Sequence, residues 1–202
     1  MLRLVTAAPS AYLGYDDVVD GHHPAVERCA RELAAGTASP EHYAELAFLF
    51  VRDRVGHSWD VQDRRVTVTA SDVLREGVGL CYGKSHLLAA LLRARGIPTG
   101  LCYQRLEDGP GSFSLHGLVA VHLSGRWSRL DPRGNKPGVD AQFSLEEERL
   151  AWPVRTERGE VDYADVLVSP DPGVVAALRG ADDMLQLCRT GLPDRPAVQP
   201  SE

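Results

Sequence analysis

The stretch Gly77-Val78-Gly79-Leu80-Cys81-Tyr82-Gly83-Lys84-Ser85-His86-Leu87-Leu88-Ala89-Ala90-Leu91-Leu92-Arg93-Ala94-Arg95-Gly96-Ile97-Pro98 decides how this chain folds. From Leu80 to about Arg95 it reads as a helix. Leu87, Leu88, Leu91 and Leu92, with Ala89, Ala90 and Ala94, make it apolar over much of its circumference, so burial on most sides is expected. Gly96 stops it and Pro98 prevents its continuation. Cys81 falls in the first turn, where unpaired N–H groups and roughly half a unit of positive charge favour thiolate over thiol. Gly79 and Gly83 lack side chains, so close approach of a substrate backbone is expected beside Cys81, with Lys84 adding positive charge.

Upstream, Val26, Cys29, Ala30 and Leu33 recur at helical spacing over residues 23–35, and Gly36 ends the run. A second helix is predicted from Pro40 to about Arg54, with Ser39 as cap, Pro40 at the first position and Glu41 complementing the dipole. A short strand is expected at Val66-Thr67-Val68, then a helical turn from Asp72 to Glu76, capped by Ser71 and ended by Gly77. Downstream the period changes to that of strands. Thr99–Leu106, Leu115–Leu123 and Arg126–Asp131 are separated by a polar loop, Glu107–Ser114, and by a two-residue hairpin turn, Ser124-Gly125. Ser144 is read as the cap of a short helix over Leu145–Leu150, and another helix starts at Pro172. Helices precede strands rather than alternating with them, so the fold class is α+β. One domain over residues 1–202 is expected, with a core at about 40–135, a helical segment at 20–38, a C-terminal extension at 140–202 and a loose tail from 190.

The 202 residues are 44% apolar and 25% charged, with a formal net charge of −6, the balance of a globular chain rather than of a nucleic-acid or anionic-membrane binder. No stretch has the apolar length of a membrane span or of a secretory leader, so a cytoplasmic location is expected. The four cysteines, Cys29, Cys81, Cys102 and Cys188, are widely spaced and read as free thiols. No cofactor and no metal is expected, and the oligomeric state is left open.

A cysteine nucleophile needs a base, and the base needs a group to orient it. The hairpin supplies both by parity. With Ser124-Gly125 as the turn, Leu123 opposes Arg126 and Leu118 opposes Asp131. His116, two residues from Leu118, then shares a sheet face with Asp131 as its diagonal neighbour. His122 shares the parity but lies about 13 Å further along the strand. His86 is roughly 140° around the helix from Cys81, and His57 is placed at the cleft wall. An oxyanion site would use the Cys81 backbone N–H first, with the Trp59 indole or the Gln104 amide as second donor and Tyr82 and Gly83 lining the cleft.

These residues carry a resemblance. The run from Gly77 to Cys81 and on through Ser85–Pro98 resembles the catalytic-cysteine helix of the transglutaminase-like superfamily. His116-Gly117-Leu118-Val119-Ala120-Val121 resembles its histidine strand, and Trp127-Ser128-Arg129-Leu130-Asp131-Pro132 its aspartate strand. The likeness covers about residues 45–135. It implies a papain-like arrangement, in which a cysteine-bearing helix packs on an antiparallel sheet. It also implies Cys81 as nucleophile, His116 as general base and acid, and Asp131 as the orienting group. The implied chemistry is attack on an amide of a peptide or related substrate, giving a thioester that water or an amine resolves. Peptidase or amidase action is expected ahead of cross-linking, because acidic calcium loops and β-sandwich domains are not seen. Many family members have an aromatic residue where this chain has Gly117, and an acidic or aromatic residue where it has Tyr82-Gly83-Lys84. The rival readings are an inactive peptide-binding module and a metal site built from Cys81, Cys102, His116 and His122.

Overall fold

The computed structural model describes residues 2–198. Helix α1 is Pro24–Ala34 and α2 is Pro40–Arg54, the latter started by the Ser39 side chain accepting from the His42 N–H. A two-residue strand β1, Gly56–His57, pairs in parallel with β2, Val78–Gly79. Between them lies α3, Ala70–Glu76. Then come α4, Cys81–Arg93, and the strands β3, Thr99–Gly109, β4, Ser112–Leu123, and β5, Arg126–Leu130. A short strand β6, Val161–Asp162, and the helices α5, Pro172–Arg179, and α6, Met184–Thr190, complete the chain. The antiparallel sheet has the order β5-β4-β3-β6.

Every residue of α4 is buried. It packs against α1, α2 and α3 on one side and against β3 and β4 on the other, which is why its apolar residues are not confined to one stripe. Among its last carbonyls, Leu91 O accepts from the Tyr43 hydroxyl at 2.7 Å, while those of Leu92 and Arg93 accept from the Ile97 and Gly96 N–H groups that follow the helix. The sheet is covered on both faces. Leu101, Tyr103, Leu115, Val119, Val121 and Leu130 face α4 in the main core. Cys102, Leu118 and Ala120 face outward, against Tyr12, Val166 and Trp127. On that outer face Arg129, 2% exposed, makes paired bonds with the carboxylates of Glu148 and Asp162.

The hairpin turn has the form the sequence predicts. Ser124 and Gly125 have φ of 50° and 77°, and Leu123 pairs with Arg126, His122 with Trp127 and Val119 with Leu130. Other expectations need correction. The cap of α3 is Thr69, not Ser71: Thr69 Oγ1 accepts from the Asp72 N–H while Asp72 returns to the Thr69 N–H. Residues 66–68 join no ladder, because Thr67 bonds Val78 O through its hydroxyl and Val68 O is taken by His86. The polar loop is shorter than expected; β3 and β4 run on to a tight turn at Pro110-Gly111. Ser144 Oγ does accept from the Glu146 and Glu147 N–H groups, but no helix follows, since Gln142 N–H donates to Arg149 O and closes the segment as a loop. The tail is held as far as Val198: Leu115 N–H donates to Pro193 O, and Ala197 and Val198 N–H donate to Asp171. Residues 199–202 of the expected tail lie outside the described residues.

Gly117 shows how closely α4 sits on the sheet. A Cβ there would stand 2.8 Å from Tyr82 Cδ1 and 3.3 Å from Tyr82 Cα. Gly117→Ala is therefore expected to destabilise the chain by about 1–3 kcal/mol through overpacking, measured by urea unfolding. An unchanged midpoint would show that the first turn of α4 can move aside freely.

Candidate active site

Cys81 is the first residue of α4, and Leu80 places no side chain over the first N–H groups of the helix. The backbone N–H of Cys81 thus lies among the helix's unpaired donors. β5 ends at Leu130 while β4 continues back to Ser112, so among the described residues the edge of β4 before Val119 has no strand partner. There the start of α4 meets the sheet, and the Gly117 N–H donates to Cys81 Sγ at 3.5 Å.

His116 sits beside Gly117 on β4, directly opposite Gln104 on β3. Its Nε2 lies 2.7 Å from Asp131 Oδ2. A carboxylate only accepts, so Nε2 donates to Asp131, and Cys81 also acts on the imidazole electrostatically. Burial pushes the His116 pKa down, but the charge and hydrogen bond of Asp131, with the Cys81 contact, lift it to about 10. Asp131 is fully buried, which would raise its pKa. The charge and hydrogen bond of His116 and the backbone N–H groups of Ala151, at 3.0 Å, and Arg133, at 3.1 Å, hold it below the usual carboxylate value instead. The edge of the Trp152 indole meets the His116 ring at 5.2 Å between centroids, and the Arg133 guanidinium stands over Trp152.

The structure thus brings Cys81, His116 and Asp131 together. The other expected cleft residues fare differently. The Tyr82 ring is core, its hydroxyl donating to Leu115 O at 2.5 Å and its ring filling the space that Gly117 leaves. Gly83 offers no opening to substrate either: a Cβ there would lie 2.9 Å from Val73 Cγ2, so the glycine lets α3 pack on α4. Gly79 is likewise closed by Thr67 and Val73. The Gln104 amide donates to Asp162, which turns it away from an oxyanion role, and its buried Oε1 has no partner among the described residues. Trp59 is 38% exposed, with Arg189 of α6 near its ring face. His86 is buried and neutral, pushed to about 4 by burial, with Nδ1 donating to Val68 O. Among the described residues no group of three or more His, Cys, Asp or Glu is placed to hold a metal ion.

Two participants, Arg133 and Trp152, were not read from the sequence. Arg133 is buried, donating to His57 Nδ1 at 3.3 Å and pairing with Asp60 at 2.7 Å. Burial and the positive charges of Arg133, Lys84, His116 and Lys136 keep His57 neutral. Trp152 comes from the C-terminal extension, where periodicity offers no signal. Lys84, read as a nearby charge, is fully buried, and its ammonium donates to Arg52 O at 3.2 Å and to Val55 O, at the C-terminal end of α2. Burial and Arg133 push its pKa down to about 7, against the pull of Asp53, Asp131 and Asp60.

The family model described as the transglutaminase-like superfamily matches residues 27–132, more than half of the chain. This chain belongs to the transglutaminase-like superfamily. Among solved structures it is similar to a candidate cysteine protease from Cytophaga hutchinsonii, at 16% identity and a TM-score of 0.53, over 64% of this chain and 43% of that one. The fold is therefore that of the transglutaminase-like proteins and cysteine proteases. The periplasmic domain of TgpA from Pseudomonas aeruginosa is 21% identical over 63% of this chain and 50% of its own length, with a TM-score of 0.47. The chain thus spans half or less of the length of these relatives. No curated protein matches it.

Two buried bases pull stability in opposite directions. His116 holds its proton up to about 10 in the folded chain, above the 6.5 of a free imidazole, so between those values folding takes up a proton and stability falls as pH rises. Lys84 drops to about 7 from 10.5, so above 7 the unfolded chain holds the extra proton and stability rises with pH. The two oppose each other from about 7 to 10. Lys84→Met should remove the second effect, so that urea stability falls with pH across this interval more steeply than in the unaltered chain. Parallel curves would contradict the assignment.

Proposed function

We propose that this chain carries out acyl-group chemistry on an amide or peptide bond, with Cys81 as nucleophile, His116 as general base and acid, and Asp131 orienting His116. The observation that carries this reading is the buried His116–Asp131 bond on β4 beside Gly117, whose N–H donates to the sulfur of a cysteine at a helix start. In the proposed reaction the Cys81 sulfur attacks the acyl carbon with its proton already held on the His116 imidazolium. The tetrahedral oxyanion is held by the Cys81 N–H. His116 then protonates the leaving nitrogen, and a thioester remains on Cys81. Water, deprotonated by His116, releases the acid. Asp131 keeps its charge throughout and stabilises the imidazolium.

Hydrolysis is ranked ahead of transfer to an amine. Arg189 lies against Trp59, and Lys136 and Arg133 share the single carboxylate of Asp60. These cations would repel an ammonium acceptor that approached them. The cytoplasmic placement is kept as part of the same proposal, supported by four cysteines that are all free thiols.

Thiol reactivity tests the reading. Burial pushes Cys29 up to about 11 and Cys102 and Cys188 up to about 12, so these three are thiols at neutral pH. Iodoacetamide at neutral pH should label Cys81 first, and His116→Ala should slow that labelling by about 100-fold or more. Equal, slow labelling of all four, indifferent to His116, would favour an inactive peptide-binding module. With an amide substrate, Asp131→Asn should lower kcat far more than it raises KM.

A further inference from the structure

The reactive edge of β4 carries a second contact that the proposed chemistry does not use. In an antiparallel strand, N–H groups two residues apart point to the same side. Gly117 N–H points to Cys81 Sγ, and Leu115 N–H, two residues back, points along the same unpaired edge to Pro193 O at 2.8 Å. The segment that supplies this carbonyl follows α6 and is fastened at both ends. Asp194 pairs with Arg105, the residue opposite Leu115 on β3. Ala197 and Val198 N–H donate to Asp171 Oδ2 at 2.7 and 3.1 Å, while Asp171 Oδ1 caps α5. Leu192, just before Pro193, packs on the main core.

We propose, resting on the acyl-chemistry reading above, that the β4 edge from Leu115 to Gly117 is the track on which an extended peptide substrate lies, and that residues 192–194 occupy it in the resting chain. The pitch of a β-strand carries the argument. Carbonyls two residues apart in an extended peptide repeat at about 6.8 Å, the spacing of the Leu115 and Gly117 N–H groups on β4. A substrate that places one carbonyl on the Leu115 N–H therefore brings the carbonyl two residues along to the Gly117 N–H, against Cys81 Sγ. Recognition is of the backbone, by strand addition. Leu115 O already accepts from Tyr82, so at that residue the track offers the N–H group. Because the segment is tethered, its effective concentration is on the order of millimolar. A dilute peptide competes poorly with it, whereas a reagent too small to need the track does not compete at all.

The experiment compares two reagents on two chains. Acetyl-trialanyl chloromethyl ketone requires an extended backbone, and iodoacetamide does not. In a chain ending at Gly191, which keeps α6 whole, the peptide reagent should alkylate Cys81 about 10-fold or more faster than in the full chain. Iodoacetamide should change by less than about 3-fold, and a synthetic peptide of residues 192–198 should restore the slow rate. If the shortened chain does not fold, Asp171→Asn in the full chain decides by the same pair of rates, because it turns one acceptor of the tail into a donor facing two N–H groups. An unchanged peptide-reagent rate in a folded variant, or equal acceleration of both reagents, overturns the inference while leaving the acyl chemistry standing. Absence of His116-dependent labelling of Cys81 by iodoacetamide in every chain overturns both.

Discussion

A carboxylate with no exposure to water has to be surrounded by donors or give up its charge. Asp131 meets that demand from three directions. His116 comes from β4, Arg133 N–H from the loop that follows β5, and Ala151 N–H from the C-terminal extension. Removing any one leaves a buried lone pair without a partner, and the imidazole loses its fixed orientation. This requirement explains why residues beyond the sheet return across it. The extension brings Ala151 to Asp131 and Trp152 to His116, so the site draws on residues outside the segment that matches the family.

The second constraint is close packing around α4. A nucleophile at a helix start is useful only if that start reaches the strand that holds the base. Gly117 allows the approach on one side and Gly83 on the other, each filled by a neighbour's side chain rather than left open. Lys84 adds a polar fastening. Its ammonium at the C-terminal end of α2 joins that helix to the first turn of α4, close beneath Gly134, in the turn that follows Asp131. A lysine near a helix start opposes the dipole of its own helix, and here the carbonyls of α2 offset that cost.

Much of this was legible in sequence because the relevant signals are local. Ser39-Pro40-Glu41 starts α2, the leucine and alanine run makes α4, and Ser124-Gly125 fixes the register that puts His116 and Asp131 on one face. What was misread depends on partners distant in the chain. Gly79 and Gly83 look like clearance for substrate, but a missing side chain serves equally well when another helix must pack close. Gln104 has the right donor in the right strand, yet Asp162 of β6 takes it, and β6 is two residues long with no periodic signature. Tyr82 resembles a cleft residue by position alone; its hydroxyl finds Leu115 O instead. The cap of α3 was placed at Ser71 for a different reason: the spacing of Thr69 to Asp72, which has the form of a capping box, was not recognised.

The central claim is that Cys81 forms a covalent acyl intermediate with the help of His116 and Asp131. The most direct measurement is acid-quench mass spectrometry after brief exposure to p-nitrophenyl acetate, which transfers an acetyl group and releases p-nitrophenolate. The account predicts one acetyl group on the peptide that contains Cys81, lost in Cys81→Ala and accumulating far more slowly in His116→Ala. Acetylation confined to other residues, or indifferent to His116, would contradict it.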